Sequence, residues 1–293
     1  MTNKAYPDPK NKIRGCLIGG AVGDALGYTV EFKRYAEIRK QFGDKGIAAY
    51  VTDPKSGKAI ISDDTQMTLF TAEGILAPEG DAADNVYKAY LNWLTTQRTA
   101  YANRPAAGAS RLMRRAELYA RRAPGNTCLS ALSSGRMGTV EHPINASKGC
   151  GGVMRVAPIA FLKLSDPSET DKLAAQAAAI THGHPLGWLP AALLVHILHE
   201  SIYAGSGRTL REIVRDSLDQ FAYIFDDAPF LDELMRLMKK AICASVNHNG
   251  DSDSTGAVAG NILGAYLGAD AIGEKWTKDL EMFDLISEIA DAF

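Results

Sequence analysis

The sequence predicts an all-α fold built as one compact domain. Apolar residues recur at helical spacing along most of the 293 residues, helix-start signals punctuate the chain, and strand candidates are few and short. With 46% hydrophobic and 23% charged residues, there is ample material for a core. No linker-like tract and no fixed-period repeat divides the chain, so a single domain is expected over residues 13–293. A polar, proline-containing extension is expected at 1–12.

The first helical pattern runs from Ile13 to Leu26, and two weak strand candidates follow at Ile47–Val51 and Ala59–Ile61. Further helices are expected at Thr65–Leu76, Ala83–Thr95 and Ala106–Arg121. Thr127–Val153, rich in Gly, Ser and Asn, is the longest irregular stretch, and loops of that length are usually functional or disordered. Asp166-Pro167-Ser168-Glu169 combines an N-cap acid, proline at the first helical position and Glu at N3, launching the alanine-rich Leu173–Ile180 segment. After a helix at Pro185–Tyr203, Thr209-Leu210-Arg211-Glu212 forms a capping box opening a segment to Ile224. Leu231–Val246, Gly256–Leu267 and Leu280–Ala292 complete the pattern.

Two of these helices share a trait. Gly19, Gly23 and Gly27 recur every four residues, and so do Gly256, Gly260, Gly264 and Gly268. Each glycine weakens a helix by roughly 1 kcal/mol relative to alanine, so its repetition on one face calls for close helix packing. That packing would bring Asp24 and the residues after Asp253 into one core.

Composition narrows the function classes. A net charge of −2 gives no general field for nucleic acid or anionic membranes. The dense basic runs Arg111–Arg115 and Arg121-Arg122 read as the solvated face of a helix. There is no signal-peptide pattern and no membrane-length apolar run, and Cys16, Cys128, Cys150 and Cys243 form no CxxC pair, so reduced thiols in a cytoplasmic protein are expected. Gly19-Gly20-Ala21-Val22-Gly23 is not a GxGxxG fingerprint and no GxxxxGK[ST] loop is present, which argues against Rossmann and P-loop phosphate binding.

Chemistry concentrates in two acidic clusters, Ser62-Asp63-Asp64-Thr65-Gln66 and Asp251-Ser252-Asp253-Ser254-Thr255. Alternating Asp with hydroxyl residues supplies the hard oxygen donors that Mg²⁺ and Mn²⁺ prefer, and four carboxylates balance two divalent ions. The same residues suit helix capping, and each cluster alone supports either reading. An EF-hand fits poorly, because Gly256 stands at the sixth position and Ile262 at the twelfth. His182-Gly183-His184 lacks a Cys partner for a softer metal, His196 and His199 read as structural, and no Cys-His-acid set accompanies Cys150.

Taken together, Gly19–Gly27 with Glu31, both acidic clusters, Asn145–Arg155 followed by Pro158, and Thr181-His182 resemble the ADP-ribosylglycohydrolase family. The motifs match in order from near residue 13 to residue 268. The resemblance implies a compact all-α fold with two Mg²⁺ or Mn²⁺ ions in a central cleft. By position, Ser62, Asp63, Asp64, Asp251, Asp253 and Ser254 would be the metal ligands. Glu31 and Asp64 would be the catalytic carboxylates, with Glu31 gating the site or handling a proton. Asn103, the loop residues Gly149, Cys150, Gly151, Gly152, Met154 and Arg155, and His182 would face ADP-ribose, while Asp24 suits a supporting or packing role.

The implied activity is metal-dependent cleavage of the glycosidic bond of an ADP-ribosylated protein, arginine-linked in the first instance. Serine-linked ADP-ribose and O-acetyl-ADP-ribose are the alternatives, as is an immunity or regulatory protein that binds an ADP-ribosyltransferase. Two departures bear on this. Serines stand at 62, 252 and 254 where the family commonly has Thr, which preserves the oxygen donors. Thr99–Asn103 keeps the Asn of some arginine-directed members but lacks the acid before it.

Overall fold

Asp8 accepts a hydrogen bond from Asn11 N at 2.8 Å and so caps the first helix, α1 (Pro9–Tyr28). The computed structural model describes residues 7–106, 108, 110–164, 166–205, 207–234 and 251–293. Along them follow α2 (Tyr35–Phe42), α3 (Asp63–Ile75), α4 (Ala82–Arg98), α5 (Asn126–Ser133), α6 (Pro167–Ala179), α7 (Pro185–Tyr203), α8 (Leu210–Ile224), α9 (Ser252–Leu267) and α10 (Phe283–Ala290). Short 3-10 turns and a one-turn helix at Glu274–Thr277 connect them. Among the described residues no helix is long and apolar enough to cross a membrane.

The glycine faces do what their spacing predicts. α1 and α9 lie antiparallel with backbone against backbone: a Cβ at Gly19 would collide with the Gly260 carbonyl, one at Gly23 with Gly256, and one at Gly27 with Ser252. Gly15 extends the seam to Gly264. Asn261 crosses it, donating to Cys16 O at 2.8 Å. The seam carries Asp24 and Asp253, both buried, to the same end of the helix pair.

α3 passes through the middle of the molecule, with Met67, Leu69, Phe70 and Ala72 all buried. It packs on α4 and on the 3-10 segment Cys150–Arg155, while α7 packs on α6 and α8. A helix buried on all sides must satisfy its polar groups internally. Gln66 accepts from Trp93 Nε1 at 3.2 Å, and the Thr71 hydroxyl pairs with Tyr90 OH at 2.7 Å. The expected helix starts at Asp166 and Thr209 are both found, with Asp166 accepting from Ser168 N and Thr209 and Glu212 forming the reciprocal capping box.

Several expectations need correction. Residues 9–12 belong to α1 rather than to an extension, and Lys12 is buried with Nζ donating to Ser201 O at 2.8 Å. No helix spans 106–121; the described residues there form 3-10 turns at Leu112–Arg114 and Ala116–Tyr119. The cause is Glu73, whose carboxylate accepts from Arg111 N, Leu112 N and the Ser110 hydroxyl, capturing donors a helix start would place elsewhere. Neither strand candidate forms a strand among the described residues, and Ala59 makes a single parallel bridge to Leu280. The long central loop is shorter than expected because α5 occupies its beginning. The helix expected at Leu231–Val246 lies beyond residue 234 outside the described residues; 231–234 are helical.

Candidate active site

Both acidic clusters form the N-terminal turns of helices. Ser62 is the N-cap of α3, its hydroxyl accepting from Asp64 N at 3.1 Å. Asp251 is the N-cap of α9, accepting from Ser254 N at 3.2 Å. Capping and site chemistry therefore coexist in the same residues. Asp24 braces the first turn from α1: its carboxylate accepts from Ser62 N at 3.0 Å, from Thr65 N at 3.1 Å and from the Thr65 hydroxyl. Asp63 accepts from Gly125 N at 3.2 Å, tying the turn to the start of α5. In the second turn, Asp251 accepts from the Cys150 thiol at 2.7 Å, linking α9 to the glycine loop.

The two turns share a cavity of about 260 Å³ bordered by Glu31, Asp63, Asp64, Asp251, Asp253 and Ser254. The opposite wall is Gly149, Cys150, Gly151, Met154 and His182. No Lys or Arg is among the described lining residues, so the carboxylates face one another without a protein cation. Burial raises Asp63 to about 8, helped by repulsion from Asp24 and Glu31. Burial likewise raises Asp253 to about 9, with a hydrogen bond to Asp251 and the charge of Glu31 adding to it. Asp64 is pushed well above the carboxylate range by burial and by Asp24, Asp63 and Asp253. Burial also pushes Asp251 upward, but hydrogen bonds from Asp253, Cys150 and Ser254 bring it below its ordinary value. Glu31 rises to about 7 through burial and the charges of Asp251 and Asp24.

A bound cation would neutralise such a cluster in place of protons. Asp64 Oδ2 is buried and has no hydrogen-bond partner, and the donor set is carboxylate and hydroxyl oxygen, the chemistry of a hard divalent cation. Among the described residues, no three Asp, Glu, His or Cys side chains already converge as a ready metal cage. The carboxylates border a common space, and a cation there would draw them together with the hydroxyls.

The glycine wall depends on the absence of side chains. A Cβ at Gly151 would lie 2.8 Å from His182 Cε1 and 2.9 Å from Cys128 Sγ, and one at Gly152 would lie 2.6 Å from Gly187 O. Arg155, expected to face the ligand, is instead fully buried beneath this wall. It donates to Gly151 O at 2.6 Å, to Ala177 O at 3.0 Å and to the Thr181 hydroxyl at 2.8 Å, with its guanidinium 4.4 Å from the Tyr90 ring centroid. The loop needs an internal cation to gather its carbonyls, and that is what takes Arg155 out of the cavity. The Thr181 hydroxyl also pairs with His182 Nδ1 at 2.8 Å. Burial, and secondarily the Arg155 charge, hold His182 down at about 3, so the ring is neutral. Since Arg155 can only donate to Thr181, we assign the Thr181 proton to His182 Nδ1, leaving Nε2–H as the group facing the glycine turn.

Other expected site residues divide. Ser62, at the α3 N-cap, and Gly152 are both buried and are not among the residues that border the cavity. Asn103 lies in the exposed 3-10 turn Tyr101–Asn103, and is not among the residues bordering the cavity. Conversely, Asn126, Thr127 and Cys128 at the start of α5, together with Ala123 and Phe32, border the cavity without having been expected. Pro124-Gly125-Asn126 was the available signal for α5, a turn leading into a helix. Phe32 carried none. His196 and His199 are structural as expected: His196 Nδ1 meets Asp171 Oδ2 at 2.8 Å and His199 Nδ1 meets Ala160 O at 3.1 Å.

The comparisons with known proteins agree on one family. The family profile described as ADP-ribosylglycohydrolase matches residues 5–240 and 231–293. The chain is 28% identical over 297 residues to an ADP-ribosyl-[dinitrogen reductase] glycohydrolase of Rhodospirillum rubrum, covering 94% of this chain and 92% of that one. It is 22% identical over 352 residues to the ADP-ribosylhydrolase ARH3 of Bos taurus, covering 96% and 92%. A solved structure titled "ADP-ribosylglycohydrolase-related protein complex" superposes with a TM-score of 0.59 at 22% identity over 97% of each chain, a likeness of fold. With the family matched along nearly its whole length, this chain belongs to the ADP-ribosylglycohydrolase family and is a glycohydrolase enzyme.

Proposed function

We propose that this enzyme hydrolyses the bond between ADP-ribose and a modified arginine side chain of a protein, using two Mg²⁺ or Mn²⁺ ions held by Asp63, Asp64, Asp251, Asp253 and Ser254, with Ser62 capping the α3 turn beside them. The observation that carries this reading is the cavity in which five carboxylates meet with no Lys or Arg among its described lining residues. Such a cavity attracts cations, and it also suits a positively charged guanidinium as the departing group. The name of the Rhodospirillum relative, a glycohydrolase acting on an ADP-ribosylated protein, supports a modified protein as substrate.

Divalent cations bound there would supply Lewis-acid stabilisation, orientation of the ribose hydroxyls and a more acidic water. The remaining work falls to the chain. Gly149, Cys150 and Gly151 border the cavity, and His182 Nε2–H offers a neutral donor to an ADP-ribose oxygen. Glu31, half-buried at the edge of the carboxylate group, is placed to accept a proton from the attacking water at its carboxylate oxygen and to pass it to the departing guanidine nitrogen. Asp24 holds the α3 turn in register by binding its amides from behind. As the bond to the anomeric carbon breaks, the surrounding carboxylates stabilise positive charge on the ribosyl group.

A hydrolase panel tests the proposal: arginine-linked, serine-linked and O-acetyl-linked ADP-ribose, each with Mg²⁺, Mn²⁺ or EDTA. Release from the arginine conjugate that EDTA abolishes is expected. Undiminished release in EDTA, or no release from any of the three, would contradict it.

A further inference from the structure

Phe32 sits in an unusual position beside the acidic cavity. It follows Glu31 in the turn after α1, which is pinned by buried Val30 and by Lys33 N donating to Val30 O at 3.0 Å. Its backbone has φ +61°, in the left-handed region that bulky side chains rarely adopt. Its ring is 80% exposed, yet it borders the cavity. Two of the four non-glycine residues with positive φ among the described residues, Phe32 and Ala123, line this one cavity. Strain held at a ligand site points to a function for the side chain it presents.

The cavity itself is small. At about 260 Å³ it falls below the roughly 300–1,000 Å³ of sites that enclose a whole drug-sized ligand, so a substrate must extend over its rim. Apart from the His182 imidazole, Phe32 is the sole aromatic ring among the described lining residues, and its neighbour is a carboxylate. An aromatic face next to a carboxylate matches one chemistry closely: a planar cation that stacks on the ring while donating hydrogen bonds to the acid.

We infer that Phe32, with Glu31, forms the subsite for the guanidinium of the departing arginine and so determines the linkage cleaved. This rests on the arginine reading above. Phe32 contacts the substrate directly on the leaving-group side, while the glycine wall faces ADP-ribose. An adenine stacking on the same ring would be the competing occupant, and it would be present in every ADP-ribosyl conjugate.

The test compares kcat and KM of wild type, Phe32→Ala, Phe32→Gly and Phe32→Trp on ADP-ribosyl-agmatine and on O-acetyl-ADP-ribose. Phe32→Ala and Phe32→Gly should lower kcat/KM on the guanidine conjugate about tenfold while changing the acetyl conjugate by less than about twofold, and Phe32→Trp should retain the wild-type ratio. Glycine accepts the positive φ without strain, so Phe32→Gly should melt no lower than wild type, separating recognition from folding. Equal losses on both conjugates would assign the ring to adenine and overturn the inference; so would no loss on either. Wild-type turnover of the acetyl conjugate alone would overturn the arginine reading, and the inference with it.

Discussion

The turn that opens α3 and the turn that opens α9 present the same acids and hydroxyls to one cavity but are mounted differently. Behind the first stands Asp24, fully buried, which accepts two backbone amides and a hydroxyl. Behind the second runs the glycine seam, and its exposed side is linked to the opposite wall through Cys150. Asp63 and Asp64 are buried, whereas Asp251 is partly exposed and hydrogen-bonded to Asp253. One half of the site is thus fixed by a polar brace under it. The other is fixed by backbone packing, with a weak thiol bond across the mouth. The difference teaches that similar local sequence patterns do not imply the same support; the partners from elsewhere in the chain decide it.

Removing each support in turn would break or sharpen that contrast. Asp24→Ala should have the largest effect, because it leaves the buried Ser62 and Thr65 amides without acceptors, at a cost of about 3 kcal/mol after relief of repulsion with its acidic neighbours. Chemical denaturation would read the loss. Gly260→Ala comes next: its Cβ meets the Gly19 carbonyl, and overpacking of about 3 kcal/mol against a helix-propensity gain of about 1 kcal/mol leaves a net loss of roughly 2 kcal/mol. That variant should also lower activity by separating α1 from α9, and with them the two turns.

A third prediction concerns pH. Asp63 and Asp253 keep their protons to about 8 and 9 in the folded, cation-free protein, whereas unfolded aspartates lose theirs near about 4. The folded form binds more protons across that window, so stability in EDTA should fall as pH rises from about 5 to about 9. Mn²⁺ should flatten the fall by replacing those protons. Melting temperatures measured across that range with EDTA and with Mn²⁺ would check both parts. The smallest effect should come from Cys150→Ala, which removes one weak thiol donor at the mouth and should cost less than about 1 kcal/mol, measured by the same denaturation.

Features that depend on neighbours in sequence were legible from the sequence. The caps at Asp166 and Thr209 and the glycine periodicity of α1 and α9 were all found as read. Asp8-Pro9 carries the same N-cap and proline signal as Asp166-Pro167, and reading it would have placed the start of α1 correctly. Features set by distant partners were not legible. Glu73 breaks the apparent helix at 106–121 from 38 residues away in sequence, and Arg155 is drawn under the loop by carbonyls of Gly151 and Ala177. The acidic half of the site could be read because its ligand types are local to two short clusters. Phe32 could not, since its exposure and positive φ exist only in the folded turn.

The central claim is that the two turns act together as one cation site. Calorimetric titration of Mn²⁺ into chelator-treated wild type, Asp63→Asn and Asp253→Asn tests it most directly. Saturable binding in wild type, weakened about tenfold or more by either single substitution, is the predicted result. Wild-type affinity in either variant would show that one turn binds without the other and would contradict the account.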